Sequence, residues 1–293
     1  MIRFILNPKS GKEAADTEYI AKCIQLNFPG ADMRLTRAPK HATELAREAA
    51  QQHFESVVVL GGDGTINEAA QGLVGTQTAL GIIPRGSGNG LAREIGMFLP
   101  LEEALVKLQR ATPHACDVGL ANNELFLNVA GVGIEAAVAW QFMEHGKTGA
   151  RGKAPYFTLG AKTFFAYKPN TLRVTVDGRT QEMAPLTLVF ANGRQYGSNF
   201  KIAPQASLTD GKLDMVEIKN APKYKLAAAV PFFFTNKKPP FEVTNTTQIT
   251  SAVVESDHEI LYHIDGEPRK ADHRLEITVK PGALRLLLPQ YGY

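Results

Sequence analysis

Cysteine is nearly absent from this 293-residue chain: Cys23 and Cys116 stand far apart, without CxxC spacing. That argues against a disulfide framework or a zinc site and favours a reducing compartment. Long apolar runs are missing too. No stretch approaches the roughly 18 residues of a membrane span, and the opening MIRFILNPKSGK turns polar too early for a signal peptide. Neither sign of charge is in large excess. A net charge of +3 and a pI near 8.7 suit small anionic partners but fall short of a nucleic-acid signature. No GxxxxGK[ST] occurs, because Ser10-Gly11-Lys12 lacks both the leading glycine and the trailing hydroxyl. Internal repeats and low-complexity segments are absent as well.

What is present is an ordinary globular composition, 44% hydrophobic and 21% charged, over about twice the usual domain length. Up to about residue 117, short apolar runs alternate with helical periodicity. Strands are expected at Arg3–Leu6, Asp32–Leu35, Ser56–Leu60 and Ala79–Ile83, and helices at Glu13–Leu26, Ala42–Gln52 and Asn67–Val74. Such alternation implies parallel pairing, with ligands at the strand C-termini. From about residue 118 the texture turns to β. The spacing predicts strands at Leu125–Ala130, Thr171–Val176, Leu186–Ala191, Leu213–Glu217, Glu259–Ile264, Leu275–Val279 and Leu284–Leu288, with hairpin turns at Asp177-Gly178 and Asp265-Gly266. The expected fold class is therefore α/β plus β: a Rossmann-like parallel nucleotide domain followed by an antiparallel, sandwich-like one. The expected domains are 1–117, joined by the tail 283–293, and 118–282. Glu144–Tyr156 reads as a Gly- and Lys-rich loop.

Chemistry concentrates in two glycine-rich loops. In SVVVLGGDGTINEAAQGLV (56–74) an apolar strand stops at Gly61-Gly62, passes Asp63 and Thr65, and enters a helix. That order presents backbone N–H groups and a helix N-terminus to phosphate, and the Asp63 carboxylate could hold magnesium. A plain capped turn is the alternative. LGIIPRGSGNGLAR (80–93) repeats the logic, so two loops would line one edge of one sheet and form a crevice for a polyphosphate. A third candidate, GxGxxA within LNVAGVGIEA (127–136), imitates a dinucleotide fingerprint. No acidic residue closes a following strand, so close helix–strand packing is its expected role.

GGDGTINE (61–68) followed by GIIPRGSGNGLAR (81–93) resembles the ATP site of diacylglycerol kinases, sphingosine kinases and related bacterial lipid kinases. NPKSGK (7–12), FLNVAGVGIEAAVA (126–139), YKPNTLRVTVDG (167–178), FANGRQYGSNFKIAPQASLTDGKLD (190–214) and HIDGEPRK (263–270) extend the resemblance along nearly the whole chain. It implies a magnesium-dependent kinase that moves the γ-phosphate of ATP to a lipid hydroxyl, in a cleft between the two domains. By position, ATP would be held by Asn7, Pro8, Lys9, Ser10, Gly11, Lys12, Thr36, Gly61, Gly62, Asp63, Gly64, Thr65, Ile66, Asn67, Ser87 and Asn89. Glu267 matches the family's general base, and Asp63 shares the catalytic role. Ser207, Asp210 and Lys212 match a structural magnesium site, with Asp210 ligating through its carboxylate. From the residues alone, Asp210-Gly211 and Asp265-Gly266 are turn chemistry first.

Diacylglycerol is the first choice of acceptor and a sphingoid base or other lipid alcohol the second. A kinase of a soluble nucleotide such as NAD, or a catalytically silent nucleotide-binding regulator, are the competing readings. The resemblance further implies a cytoplasmic enzyme that meets the membrane surface transiently and, by analogy alone, a homodimer; no nucleic-acid partner is expected. Ala154–Tyr167, aromatic and flanked by Lys147, Arg151, Lys153 and Lys168, is a candidate membrane-facing helix, lid on a lipid pocket or core helix, and Pro231–Pro240 raises the same alternatives.

Overall fold

The computed structural model describes residues 1–11, 16–86, 88–146, 160, 162–197, 199–235 and 241–289. Two compact units emerge. Unit 1 is Met1–Val118 with Pro281–Tyr293, and unit 2 is Gly119–Lys280.

Unit 1 is built on strands β1 (Ile2–Leu6), β2 (Asp32–Leu35), β3 (Ser56–Gly61) and β4 (Ala79–Pro84), paired in parallel in the order β2-β1-β3-β4. Every residue of β3 is buried, and all of β4 but Pro84. A continuous apolar run is what a sheet covered on both faces requires. The covering helices are α1 (Thr17–Asn27), α2 (His41–Gln51), α3 (Asp63–Leu73), the short α4 (Gly90–Glu94) and α5 (Leu101–Leu108). Asp16 caps α1, accepting from the Tyr19 amide at 2.9 Å. Ala42, Leu45, Ala46 and Ala49 keep one face of α2 in the core. The order reverses between β1 and β3, so the switch point where open α/β sheets bind ligands lies beyond Leu6 and Gly61.

The chain leaves unit 1 within β5 (Thr112–Ala121) and returns within β18 (Arg274–Leu288). Unit 2 adds β6 (Glu124–Phe126), β7 (Val129–Gly133), α6 (Ile134–Gly146), β8 (Leu172–Val176), β9 (Arg179–Met183), β10 (Thr187–Ala191), β11 (Gln195–Gly197) and β12 (Phe200–Lys201). There follow β13 (Leu213–Ile218), α7 (Lys223–Ala229), β14 (Thr244–Ile249), β15 (Ser251–Glu255), β16 (Ile260–Ile264) and β17 (Glu267–Ala271). One antiparallel sheet runs β14-β13-β10-β7-β16-β17. A second joins the start of β18 to β15, β8 and β9. Phe126, Leu188, Phe190, Tyr262 and Ile264 meet Val174, Val254, Leu275 and Ile277 in one core between them. β15 and the first half of β18 alternate buried and less buried residues, the period-2 pattern of a sheet with one wet face.

Several expectations are corrected. Leu125–Ala130 is not one strand; it breaks at Leu127-Asn128 into β6 and β7. Leu275–Val279 and Leu284–Leu288 are one continuous strand despite Pro281-Gly282, because an antiparallel partner at its start gives way to a parallel one, with Leu286 opposite Leu80, near its end. β5 carries no period-2 alternation at its polar start and escaped notice, as did β14 and β15. Helix α3 starts at Asp63 rather than Asn67. Most of the expected loop at 144–156 lies outside the described residues, although 144–146 belong to α6.

Both expected hairpins are present. Asp177-Gly178 and Asp265-Gly266 have positive φ at both positions, as does the unforeseen Asn122-Asn123 pair between β5 and β6. That is the type I′ geometry suited to two-residue hairpins. The GxGxxA segment packs closely, as expected. Gly133, at φ 127°, closes β7 against β10, where a Cβ would lie 2.6 Å from the Leu186 carbonyl oxygen. Gly133→Ala is expected to cost about 2–4 kcal/mol, measured as a lowered urea midpoint; an unchanged midpoint would show that the β7–β10 contact yields freely.

Candidate functional site

Three loops leave the carboxyl ends of β1, β3 and β4, and hydrogen bonds tie them together. In the first, Asn7 donates through Nδ2 to Thr65 Oγ1 at 2.9 Å and accepts at Oδ1 from the Lys9 amide. Ser10 folds back on the Asn7 carbonyl through both its amide and its hydroxyl. Pro8 and Gly11 complete the described loop, and Lys12 lies outside the described residues. Thr36 is drawn in beside Asn7 by its amide, which bonds the Leu6 carbonyl at 2.9 Å.

The second loop is Gly61-Gly62 and the first turn of α3. No side chain caps this helix. Ile66 already donates to the Gly62 carbonyl and buries its side chain, which leaves Asp63, Gly64 and Thr65 as first-turn amides directed out of the helix. Asn67 lies one position further along and accepts from Gln71.

The third loop, 85–90, reaches the second by glycine-to-glycine approach. A Cβ on Gly86 would sit 2.4 Å from Asn89 Oδ1 and 3.2 Å from Gly62 Cα, so a larger residue would push the loops apart. Asn89 is fully buried and donates to the Gly61 carbonyl. Ser87 lies outside the described residues.

Asp63 joins the second and third loops directly. Its Oδ2 accepts from the Asn89 amide at 2.7 Å and its Oδ1 from the Gly90 amide at 3.0 Å. One carboxylate therefore stands at two helix starts, α3 by position and α4 by hydrogen bond. Burial raises its pKa, and the two amide bonds and the Arg93 charge pull the other way. Asp63 thus occupies the Asn89 and Gly90 amides and its own, which leaves the Gly64 and Thr65 amides as donors in the α3 turn. Beside the cradle opens a cavity of about 780 Å³, lined by Gly11, Leu60, Pro84, Gly86, Phe98 and Leu101 among others. That is ligand-sized.

In unit 2, Glu267 is the first residue of β17, paired with Ile264 across the Asp265-Gly266 turn. Its side chain is 59% exposed, and Oε2 accepts from Arg269 Nη2 at 3.2 Å; Arg269 also holds Glu124 at 2.8 Å. Asp265, which sequence reasoning treated only as a turn residue, anchors this corner. Its carboxylate accepts the amides of Leu127, Asn128 and Val129 at 2.9–3.1 Å, where the β6–β7 chain breaks. Asn192 adds a bond to the Leu127 carbonyl. The signal was the recurrence of Asn and Asp beside FLN, FAN and IDG.

Behind the same turn, His263 accepts from the Gly266 amide at Nδ1 (3.3 Å), which leaves the proton on Nε2. That Nε2 is 3.9 Å from Glu135 Oε1. Glu135 keeps about a fifth of its side-chain exposure through its stem, yet both carboxyl oxygens are sealed from solvent without a hydrogen-bond partner. Burial pushes Glu135 up to about 8 and His263 down to about 4, so both are mainly neutral at pH 7.

The expected metal site lies on the loop before β13. Asp210 accepts from the Lys212 amide at Oδ1 and from Gln248 at Oδ2, and the Thr209 amide bonds Ser207 Oγ. Asp214 nearby has its pKa raised by burial and then by the Asp210 charge. Among the described residues no three His, Cys, Asp or Glu side chains converge on a metal position. A cation here would rest on one carboxylate and backbone carbonyls, an oxygen-only set that suits a hard ion. β13 and β17 are four strand spacings apart in their sheet, or about 19 Å, so the structure does not bring this loop to Glu267.

Two outcomes test this geometry. Asp63→Ala is expected to speed amide exchange at Asn89 and Gly90 by about tenfold or more; unchanged exchange would show that other contacts hold the third loop. Glu135 keeps its proton in the fold up to about pH 8 but releases it near 4.5 when unfolded. Its stabilising contribution is therefore complete below pH 4.5 and lost as the pH rises to about 8. His263 has the opposite sign, contributing fully above 6.5 and losing that as the pH falls to about 4. Urea midpoints from pH 5 to 8 should fall in the native chain relative to Glu135→Gln; parallel curves would rule out a buried neutral acid.

Residues 1–121 match the family model of the diacylglycerol kinase catalytic domain, and residues 128–288 that of the YegS C-terminal NAD kinase beta sandwich-like domain. A protein named "Probable lipid kinase YegS-like" from Cronobacter sakazakii is 30% identical over 97% of this chain and 95% of its own length. A diacylglycerol kinase from Bacillus subtilis is 30% identical over 75% of this chain and 74% of its own. In fold, the chain is similar to the crystal structure of a diacylglycerol kinase from Bacillus anthracis, with a TM-score of 0.75 at 20% identity over 99% of this chain and 97% of that one. With both of its parts matched in order along nearly its whole length, the chain belongs to the diacylglycerol kinase and YegS-like lipid kinase family.

Proposed function

We propose that this chain transfers the γ-phosphate of ATP to the hydroxyl of a membrane lipid, with diacylglycerol the first-choice acceptor and a sphingoid base or other lipid alcohol the second. One observation carries the nucleotide half: three interlocked loops meet at the switch-point edge of the parallel sheet, before an uncapped helix N-terminus. Outward amides at the positive end of a helix are a general phosphate-binding arrangement. The lipid half rests on family membership and on the diacylglycerol kinases among the relatives.

In this reading the Gly64 and Thr65 amides hold the terminal phosphates, with Asn7 to Lys12, Thr36, Gly61 to Asp63, Ile66, Asn67, Ser87 and Asn89 completing the ATP site. Magnesium, when bound, would neutralise phosphate charge, and Asp63 is the carboxylate in this cradle that could hold it, directly or through water. Asp210, with the Ser207 and Lys212 carbonyls, would take a second, structural ion. Glu267 accepts the proton of the acceptor hydroxyl as its oxygen bonds to the γ-phosphorus. The bond from that phosphorus to the bridging oxygen breaks, and ADP leaves. The work would be done from the cytoplasm, at the bilayer surface.

A general base contributes about 10²–10⁴ in rate. Glu267→Gln is therefore expected to lower kcat by that order in a γ-labelled ATP assay on mixed micelles, with ATP affinity by calorimetry unchanged. Near-normal turnover would remove Glu267 from the role. The micelles would carry diacylglycerol, sphingosine, ceramide or monoacylglycerol, beside NAD as a soluble acceptor. Label in NAD alone would favour the soluble-nucleotide kinase, and ATP binding without label in any acceptor would favour the regulator.

A further inference from the structure

No helix among the described residues is long and apolar enough to cross a membrane, yet the proposed acceptor resides in one. The large hydrophobic side chains that unit 2 exposes among the described residues are Phe165, Tyr224, Val230, Phe234 and Phe241. They form one group rather than a scatter. Phe165 is 74% exposed and stands edge-on to Phe164. Lys223, at the start of α7, donates to the Phe164 carbonyl and lies over its ring at 4.4 Å. Tyr224 is the next residue, 68% exposed. α7 runs directly into the 3-10 turn Val230–Phe234, where Phe200 stacks on Phe233 and meets Phe234 edge-on. Lys225 lies over the Phe241 ring. Beneath, Leu186, Leu226, Ala229 and Val243 form a small core that fixes the group in place.

The charge around the group has one dominant sign. Segments 162–168, 219–235 and 241–243 contain Lys162, Lys168, Lys219, Lys223 and Lys225 against the single acid Glu242. Exposed aromatic rings ringed by lysine are suited to a bilayer interface, where rings enter the head-group layer and ammonium groups meet anionic lipid. A second copy of the chain fits poorly, because a two-fold contact would set this lysine-rich surface against itself.

We propose that the surface formed by Phe165, Tyr224, Phe234 and Phe241, with lysines 162, 168 and 225, docks on an anionic lipid bilayer. This deepens the lipid-kinase reading and rests on it for its purpose, but vesicle binding can be measured without turnover. The experiment is flotation of the full chain with phosphatidylcholine vesicles, with and without phosphatidylglycerol, at low and high salt. Binding is expected to require phosphatidylglycerol and to weaken with salt. Phe165→Ser/Tyr224→Ser and Lys162→Glu/Lys168→Glu should each weaken it by about tenfold or more. Both variants should keep the native melting temperature and the native rate on a water-soluble short-chain diacylglycerol without vesicles. If no acceptor is ever labelled but flotation behaves this way, docking stands and the kinase reading fails. Failure of the native chain to float at low salt, or equal flotation of the variants, would overturn docking. So would a change in oligomeric state by sedimentation with vesicle binding untouched, which would make the surface a contact between copies.

Discussion

A buried backbone amide must find an acceptor, and both halves of this molecule meet that demand with an aspartate supplied from far along the chain. Asp63 accepts the amides of Asn89 and Gly90; Asp265 accepts those of Leu127, Asn128 and Val129. Each bond set fixes a loop that has no ladder partner of its own. Without the first, the glycine loops of unit 1 would keep only the Asn89 side-chain and Arg85 amide bonds to the Gly61 carbonyl. Without the second, the break between β6 and β7 would leave the Glu267 turn unsupported. Charge-assisted bonds of this kind are stronger than neutral ones, which suits loops rich in residues of high conformational freedom.

The cost of that arrangement is local and visible. A carboxylate partly removed from water resists ionisation; at Asp63 burial still raises the pKa, while backbone amides and Arg93 oppose it. At Glu135 burial outweighs the weaker support available, and the acid holds its proton. Two acids, both in glycine-rich segments, thus meet the same penalty of burial, and at Asp63 the amides of another loop oppose it. The glycines serve the same end in both places, letting main chain or buried polar groups come closer than a Cβ would permit.

The function proposed above gives these features a common direction. A lipid kinase needs a rigid, donor-rich cradle for phosphate, a base on a well-anchored turn, and a way to reach an acceptor that does not leave the bilayer. The first two demand order, and the residues concerned are stitched by side-chain bonds to the backbone. The third demands exposed apolar surface, which a globular domain otherwise keeps small. The aromatic group over α7 is exposed while its underside is packed, so it is held in position rather than free to collapse inward.

Much of the fold was legible in the sequence because its signals are local. The β3 run Val57–Leu60, the periodicity of α2 and the two Asp-Gly turns depend on neighbours a few residues away, and they stand where expected. So does the pairing of glycine loops after β3 and β4. The start of α3 was misplaced, because glycine at its first turn is a poor helix signal and only the packed loop beside it stabilises that turn. β5, β14 and β15 are strands because partners pair with them, and β18 continues through Pro281-Gly282 because its partners change there. What residues carry could be read from their order in part: glycine where backbone must approach, and Asp-Gly where the chain turns. Which amides Asp63 and Asp265 would accept, that Glu135 would be sealed beside His263, and that scattered aromatics would converge over α7 were decided only by tertiary structure. Such contacts join residues tens to more than a hundred positions apart, and no local pattern in a chain encodes which distant segment will arrive.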